Sequence, residues 1–476
     1  MRRLAALLLV LGIPFGFAGT SASPVQNAVT FNEHVAPIVF NRCASCHRPG
    51  EAAPFSLLSY DDVRRRGRTI AAVTQSRYMP PWHGRSEMGA FRDDRRLTDA
   101  QIRTIQDWVQ AGMPEGDPGK APALPKFTTG WQLGEPDLVV RMEQPFEIPA
   151  DGPDVFRNFA VPLNLKEDKW IRAIEFRSSA NASHHALFFA DDSGQAVELD
   201  RADPRPGFVG MNFLGANANN AGGLLRGRGA AAGGGARLAG LAQSSLGGWA
   251  VGGGPRPLPE GLARPLAKGS DLVLQMHFHP TGKVEREQAT VGFYFADGPP
   301  KRRLTALQMP PLFGAVAGID IPAGEKRFAI NDSFLLPTDM DVIGAGGHAH
   351  YLAQEMRMMA TMPDGSRREL FAIPDWKFNW QERYYFSEPV RLPKGTRLDV
   401  EITYDNSRDN PSNPNNPPRR VTFGQQSTDE MGSITLELVA ANERDLPVFS
   451  ASVLSHIQEA VLQGVVNAVG RGRRGR

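Results

Sequence analysis

At 476 residues the chain is longer than one ordinary core requires, and its length points to about three domains. Its 53 basic and 51 acidic residues nearly cancel, which gives no reason to expect nucleic acid as a partner. Glycine (49) and proline (38) are both abundant, which suits turn-rich β-structure better than helix.

Residues 1–22, MRRLAALLLVLGIPFGFAGTSA, carry two arginines, an apolar run and then small residues. This is the pattern of a secretory signal cleaved near Ala22; a retained membrane anchor is the alternative, against which the run is short and contains Pro14 and Gly16. An exported chain, periplasmic or extracellular, normally uses its cysteines as disulfides. This one has only Cys43 and Cys46, three positions apart.

Those two cysteines open Cys43-Ala-Ser-Cys46-His47, within a segment expected at residues 29–118. C-x-x-C-H is the attachment sequence of c-type haem, in which two thiols take the vinyl groups and the histidine is an axial ligand. A redox dithiol or half a zinc site uses the same spacing, but there is no second cysteine pair to complete a zinc site. Met79, in SRYMPPWHG, is the first candidate for the second axial ligand, because the two prolines after it hold the loop extended; His83, Met88 and Met113 are alternatives. In LTDAQIRTIQDWVQAGMPEG, Thr98 caps a closing helix whose apolar stripe is Ile102, Ile105, Trp108 and Val109. The segment resembles a cytochrome c module of the kind with an MPPW loop, fused to larger bacterial oxidoreductases.

Residues 119–130 form a linker. Beyond it, short β-rich runs such as DLVVRM, KWIRAIEFRSS, HHALFFADD, ATVGFYFADG and TRLDVEITYDN recur between turn residues, which indicates β-sandwiches. Two are expected, at 131–300 and 301–445, with the boundary near Pro299–Arg303. A Gly/Ala/Arg-rich stretch at 212–247 cannot pack a core and is expected to be an insertion. The tail, 446–476, has helical spacing at Leu454, Ile457, Val461 and Val465 and ends in RGRRGR, suited to weak contact with an anionic membrane surface or to docking on the protein.

Six of the ten histidines fall in three places. In DLVLQMHFHPTGK, Leu272, Leu274, Met276 and Phe278 alternate with Val273, Gln275, His277 and His279, so one face is core and the other carries imidazoles. His348 and His350 share a face in a strand, beside Gly344, Gly346 and Gly347. His184 and His185 would face opposite sides of a regular strand, so both reach one metal only across a bulge. Together these clusters point to a metal such as copper, zinc or iron.

In order, HHALFF, LQMHFHPTGK, GGHAHYL and STDEMG resemble the copper type II, ascorbate-dependent monooxygenases, the family of peptidylglycine alpha-hydroxylating monooxygenase and dopamine beta-monooxygenase. The resemblance spans roughly residues 131–440. It implies two sandwich domains, each with one copper, facing one another across a solvent-filled cleft. It places an electron-transfer copper on His184, His185 and His277, with Gln275 kept two residues before the last. It places an oxygen-binding copper on His348, His350 and Met431, the catalytic set. A thioether stabilises Cu(I), the state that meets O2, whereas an all-imidazole site suits a copper that cycles. His279 has no place in this ligand set.

The chain departs from the family in having no cysteine in its β region, and in having Gly346 and Thr435 where the peptide-hydroxylating enzyme has an Arg and a Tyr that clasp the substrate carboxylate. A peptide ending in glycine is therefore a poor fit as substrate. The expectation is a small all-α cytochrome c domain followed by two all-β jelly-roll-like sandwiches. The chain would be a monooxygenase inserting oxygen from O2 into a C–H bond of a small organic molecule. It would hold two coppers and one haem c, drawing electrons from an external donor through the haem, from ascorbate, or from both. The alternative is a non-catalytic electron-transfer or copper-binding protein, and a zinc hydrolase ranks third because Met431 is an unusual zinc ligand.

Overall fold

The computed structural model describes residues 29–210 and 245–474 except 52, 129 and 252. The signal at 1–22 and most of the Gly/Ala-rich stretch lie outside the described residues. The stretch ends earlier than its composition indicated, because Ser245 already begins a strand.

Three helices form the N-terminal region: α1 (Ala36–Arg42), α2 (Tyr60–Gln75) and α3 (Asp99–Gln110). Ser59 caps α2, and Thr98 caps α3 in a reciprocal bond with Gln101, so the starts of these two helices are fixed by local sequence. Phe31, Val39, Val63, Ile105 and Trp108 make their common core. Gly67 lies close against this core: a Cβ there would come well inside contact distance of the Met113 sulfur, which would have to shift.

The loop between α2 and α3 leaves this core. Trp82 and Phe91 pack into the second sandwich instead, with ring centroids 5.0 and 5.5 Å from Tyr384. Burying an aromatic side chain of this size stabilises by about 1.5–3 kcal/mol, so the helical region is anchored by its own loop.

The first sandwich contains β1 (Leu138–Arg141), β2 (Phe146–Ile148), β3 (Val155–Pro162), β4 (Lys169–Arg177) and β5 (Ser183–Asp191). After α4 (Gln195–Ala202) it continues with β6 (Ser245–Ala250), β7 (Arg264–Leu266), β8 (Asp271–Phe278), β9 (Glu285–Glu287) and β10 (Thr290–Phe295). Its two main sheets run β1-β10-β4-β7 and β3-β8-β5-β6. Leu272, Leu274, Met276 and Phe278 of β8 point into the core between them, as the alternation of that strand requires.

The second sandwich contains β11 (Leu304–Met309), β12 (Asp320–Ile321), β13 (Phe328–Leu335), β14 (Met340–Ala349) and β15 (Ala353–Thr361). It continues with β16 (Arg367–Ile373), β17 (Arg383–Leu392), β18 (Arg397–Tyr404), β19 (Val421–Thr422) and β20 (Gly432–Ala440). Its main sheets run β11-β20-β14-β17 and β13-β18-β15-β16. A final helix, α5 (Leu446–Arg474), packs Phe449 onto this core and pairs His456 with Asp332 at 3.0 Å.

The sandwiches meet along a polar seam. Arg264 of β7 and Arg383 of β17 both bind the buried Glu437 of β20, at 2.7 and 2.6 Å. Burial alone would raise the Glu437 pKa, but the two guanidiniums outweigh it and hold the carboxyl below its ordinary range. No helix among the described residues is long and apolar enough to cross a membrane.

Candidate metal centre

His277 lies on the face of β8 opposite the core and is fully buried. Pairing of β5 with β8 sets His185 against His277, and the register shifts between Ser183 and His185, leaving His184 in a bulge. This irregularity lets neighbouring histidines approach one ring: the His184 and His185 centroids lie 5.2 and 4.8 Å from that of His277.

The tautomer of His277 is set from behind. Its Nε2–H donates to Asp154 at 2.9 Å, so Nδ1 carries the lone pair. That Nδ1 is 3.3 Å from Nδ1 of His185. Two nitrogens bound tetrahedrally at about 2.0–2.1 Å from one metal stand about 3.3 Å apart, the same spacing. The Nδ1 of His184 is buried and has no hydrogen-bond partner in the protein. Among the described residues no group of three or more His, Cys, Asp or Glu stands ready-made for a metal, so this station has two donors at metal spacing and a third alongside.

Burial, more than any neighbour, depresses all three imidazoles: His184 to about 4, His185 well below its ordinary value and His277 below it. They are therefore neutral, the form a metal requires. His279 is largely exposed, donates to the other Asp154 oxygen at 2.7 Å and stacks on His184.

At the second station, His348 is in β14 and His350 just beyond it, with ring centroids 5.5 Å apart. Gly347, directly before His348, has no room for a Cβ, which would strike the Met356 sulfur. His348 Nδ1–H donates to the Gln381 amide oxygen at 2.7 Å, and that amide is oriented by its own bond to the Phe378 carbonyl. His350 Nδ1–H donates to the Asp429 carbonyl at 3.1 Å. Both rings therefore keep their lone pair on Nε2. Burial lowers His348 to about 4 and His350 to about 3.

Met431, nearly buried, begins the approach to β20. It is brought to His350 by Glu430, whose buried carboxyl accepts the amide N–H groups of His350, Leu352 and Met431 at 3.0, 2.6 and 3.1 Å. Burial pushes Glu430 up to about 8 despite these donors.

The stations line one cavity of about 80 Å³, whose walls include His185, His277, His348, His350 and Met431. Phe378 touches both, its ring 5.3 Å from that of His277 and 5.9 Å from that of His350. Tyr351 packs its ring at a tilt against Phe378, centroids 4.2 Å apart, and donates its hydroxyl to Asp154 at 2.9 Å, joining the second sandwich to the carboxylate behind His277.

The C-x-x-C-H segment follows α1, with Cys43 at the helix's C-terminal cap. His47 Nδ1–H donates to the Phe55 carbonyl at 3.3 Å, which leaves the lone pair on Nε2, and burial lowers the ring's pKa. Burial also pushes the Cys43 thiol up to about 12. Met79 is half-buried at the end of α2, its amide bound to the Val73 carbonyl. Of the alternatives to it, Met113 fills the helical core and Met88 packs on the second sandwich, while His83 donates its amide to the Tyr384 hydroxyl at 3.3 Å.

Sequence reasoning did not single out Asp154, Tyr351, Gln381 or Glu430. Glu430 had a signal in its place beside Met431. The others are brought to the histidines only by tertiary structure.

No family model and no curated protein matches the chain. Among solved structures it is similar to the major capsid protein P2 of bacteriophage PM2, at 8% identity over 60% of this chain and 97% of that one, with a TM-score of 0.23. It is also similar to the VP2 subviral particle of infectious bursal disease virus, at 12% identity over 70% and 77% of the two chains, with a TM-score of 0.17.

Proposed function

We propose that the chain is an exported copper-dependent monooxygenase that hydroxylates a C–H bond of a small organic molecule with O2, and that its sandwiches are of the jelly-roll-like copper type. The observation that carries this reading is the arrangement of ring nitrogens. His277 and His185 present Nδ1 atoms at metal spacing beside the unpartnered Nδ1 of His184, and across the same cavity His348 and His350 present Nε2 near Met431. His184, His185 and His277 would hold one copper; His348, His350 and Met431 would hold the other. Bound copper would supply one-electron redox chemistry and O2 activation.

The chain's own groups prepare the donors. Asp154, Gln381 and the Asp429 carbonyl fix tautomers, burial keeps the imidazoles unprotonated, and the Met431 thioether favours the cuprous state. Phe313 lines the cavity, and Phe378 packs against His277 and His350. Cys43, Cys46 and His47 would hold one haem c, with Met79 as distal ligand, taking electrons singly from an external donor or alongside ascorbate.

The test is copper and haem content of the purified protein, followed by O2 uptake coupled to a hydroxylated product. Two coppers and one haem per chain, with one cuprous site weakened in Met431→Ala, support the reading. Zinc or no metal, unchanged by that substitution, overturns it. The tightness of the cavity favours a second reading, a copper and haem electron carrier without substrate, which full copper loading with no O2 uptake would select.

A further inference from the structure

We infer that the seam between the two sandwiches holds a second ligand site, one for a small organic monocarboxylate with a compact apolar body. No metal takes part in it, so the inference does not depend on the proposed function. A cavity of about 110 Å³ lies in this seam. Ile171, Phe176, Leu187 and Trp249 of the first sandwich form its apolar wall, the Phe176 and Trp249 ring centroids standing 4.9 Å apart. Arg256, Arg264, Arg383 and Trp380 form its polar wall. Of its lining residues only Leu187 is shared with the cavity between the histidine stations.

The polar wall carries more positive charge than the chain neutralises. Glu437 is shared by Arg264 and Arg383, and Glu382 by Arg95 and Arg256. Arg92 lies over the Tyr385 ring and donates to the Pro257 carbonyl, while its buried Nε–H has no partner among the described residues. One further acid, Asp93, is mostly exposed and stands 3.7 Å from Arg256. Five guanidiniums, of Arg92, Arg95, Arg256, Arg264 and Arg383, are thus gathered around three carboxylates. The residues outside the described ones include no Asp or Glu, so no side chain from there supplies the missing negative charge. A largely buried cation without a counter-charge is costly, and an anion taken from solution offsets that cost.

The wall also selects the kind of anion. Arg383 reaches Glu437 through Nη1, and its Nε and Nη2 have no partner among the described residues. Two N–H groups on one edge of a guanidinium match the two oxygens of a carboxylate. The buried Nε1–H of Trp380, in the same wall, is likewise without a partner among the described residues and offers a further donor. Opposite these donors the wall is aliphatic and aromatic, which suits hydrocarbon and not a hydrated inorganic ion. A dry cavity of roughly 150 Å³ takes benzene, so this smaller one suits a branched acid of about four carbons.

The experiment titrates the whole protein, as purified, with isobutyrate in chloride-free buffer and follows binding by calorimetry. One isobutyrate should bind per chain, with the same affinity before and after treatment with a copper chelator. Isobutyramide, its uncharged isostere, should bind roughly tenfold more weakly, the loss expected for one charge-assisted pair. Arg383→Gln should weaken isobutyrate to a similar extent. Trp380→Phe, which keeps a ring in place and removes the donor, should weaken it several-fold and decides the matter if Arg383→Gln does not fold. No saturation by isobutyrate, equal binding of isobutyramide, or wild-type affinity in the folded variants overturns the site. Displacement of isobutyrate by an equal concentration of chloride overturns its assignment to an organic acid. Binding that disappears with copper removal places isobutyrate at the histidine stations and overturns the seam as its location.

Discussion

The carboxylate of Asp154, at the entrance to β3 in the first sandwich, accepts the hydroxyl of Tyr351, in the second, at 2.9 Å. The same group holds His277 and His279, so one side chain orients a candidate ligand and ties the two halves together. Removing the bond in Tyr351→Phe should cost about 1.5–3 kcal/mol in denaturant unfolding, the range for a hydrogen bond to a charged group. Asp154→Asn should also weaken copper binding at the first station by about 10–100-fold, measured by competition with a chelator, because the orientation of His277 loosens. Equal copper affinity in Asp154→Asn would show that the tautomer is set elsewhere.

Glu430 makes a different kind of tie, between main-chain amides. Glu430→Gln places an N–H₂ group where one carboxylate oxygen now accepts, leaving the Leu352 amide or those of His350 and Met431 unsatisfied. The loss should be about 1–3 kcal/mol of stability for each stranded donor. Cuprous copper should weaken at the second station and stay unchanged at the first, which titration of the purified variant would show. Loss at both stations would mean that Glu430 supports the whole interface.

Phe91 belongs to the second sandwich in every respect but its position in the chain. Its ring lies 4.7 Å from Phe386 and 6.2 Å from Phe371, centroid to centroid. Phe91→Ala should therefore cost about 3–5 kcal/mol, as for other large-to-small changes in a core. The cost should appear in unfolding of the second sandwich, followed by a probe there. A chain beginning at residue 131 should expose Tyr384 and Phe386 and be poorly soluble.

Acid should destabilise the metal-free protein. His184 and His348 titrate at about 4 and His350 at about 3 in the fold, against 6.5 for an ordinary histidine. Between these values the unfolded chain binds more protons than the folded one, so the stability these histidines contribute is full above about 6.5 and is lost as the pH falls toward 4. The melting temperature of chelator-treated protein should drop across this window, and the drop should shrink in a His348→Gln, His350→Gln double variant. Equal slopes in the two proteins would assign the acid sensitivity to other groups.

Much of the fold was legible because it is written in short-range pattern. The period of two in Leu272 to Phe278 defined β8 and its faces, and Thr98 with Gln101 marked the start of α3. Two adjacent histidines of one strand can reach a common ligand only across a bulge, and a register shift lies at His184. Strand β14 was harder to read, because Gly344, Gly346 and Gly347 dilute its pattern while making space for Tyr385 and Met356. Asp154 and Gln381 could not be read at all. Each is an isolated polar residue whose partner is 123 or 33 positions away, and no local periodicity records such a meeting. The destination of Trp82 was equally hidden, since an apolar residue beside a helical module is ordinarily assigned to that module's core.

That destination bears on the order in which the chain acquires structure. His83 and the Tyr384 hydroxyl it binds are 301 positions apart, and the aromatic cage for Trp82 and Phe91 is made by β16 and β17. During synthesis the N-terminal helices emerge first, yet their connecting loop has nothing to bury itself in until most of the chain has followed. Maturation therefore cannot proceed strictly domain by domain. The loop can bury Trp82 and Phe91 only once the last sandwich has assembled around it.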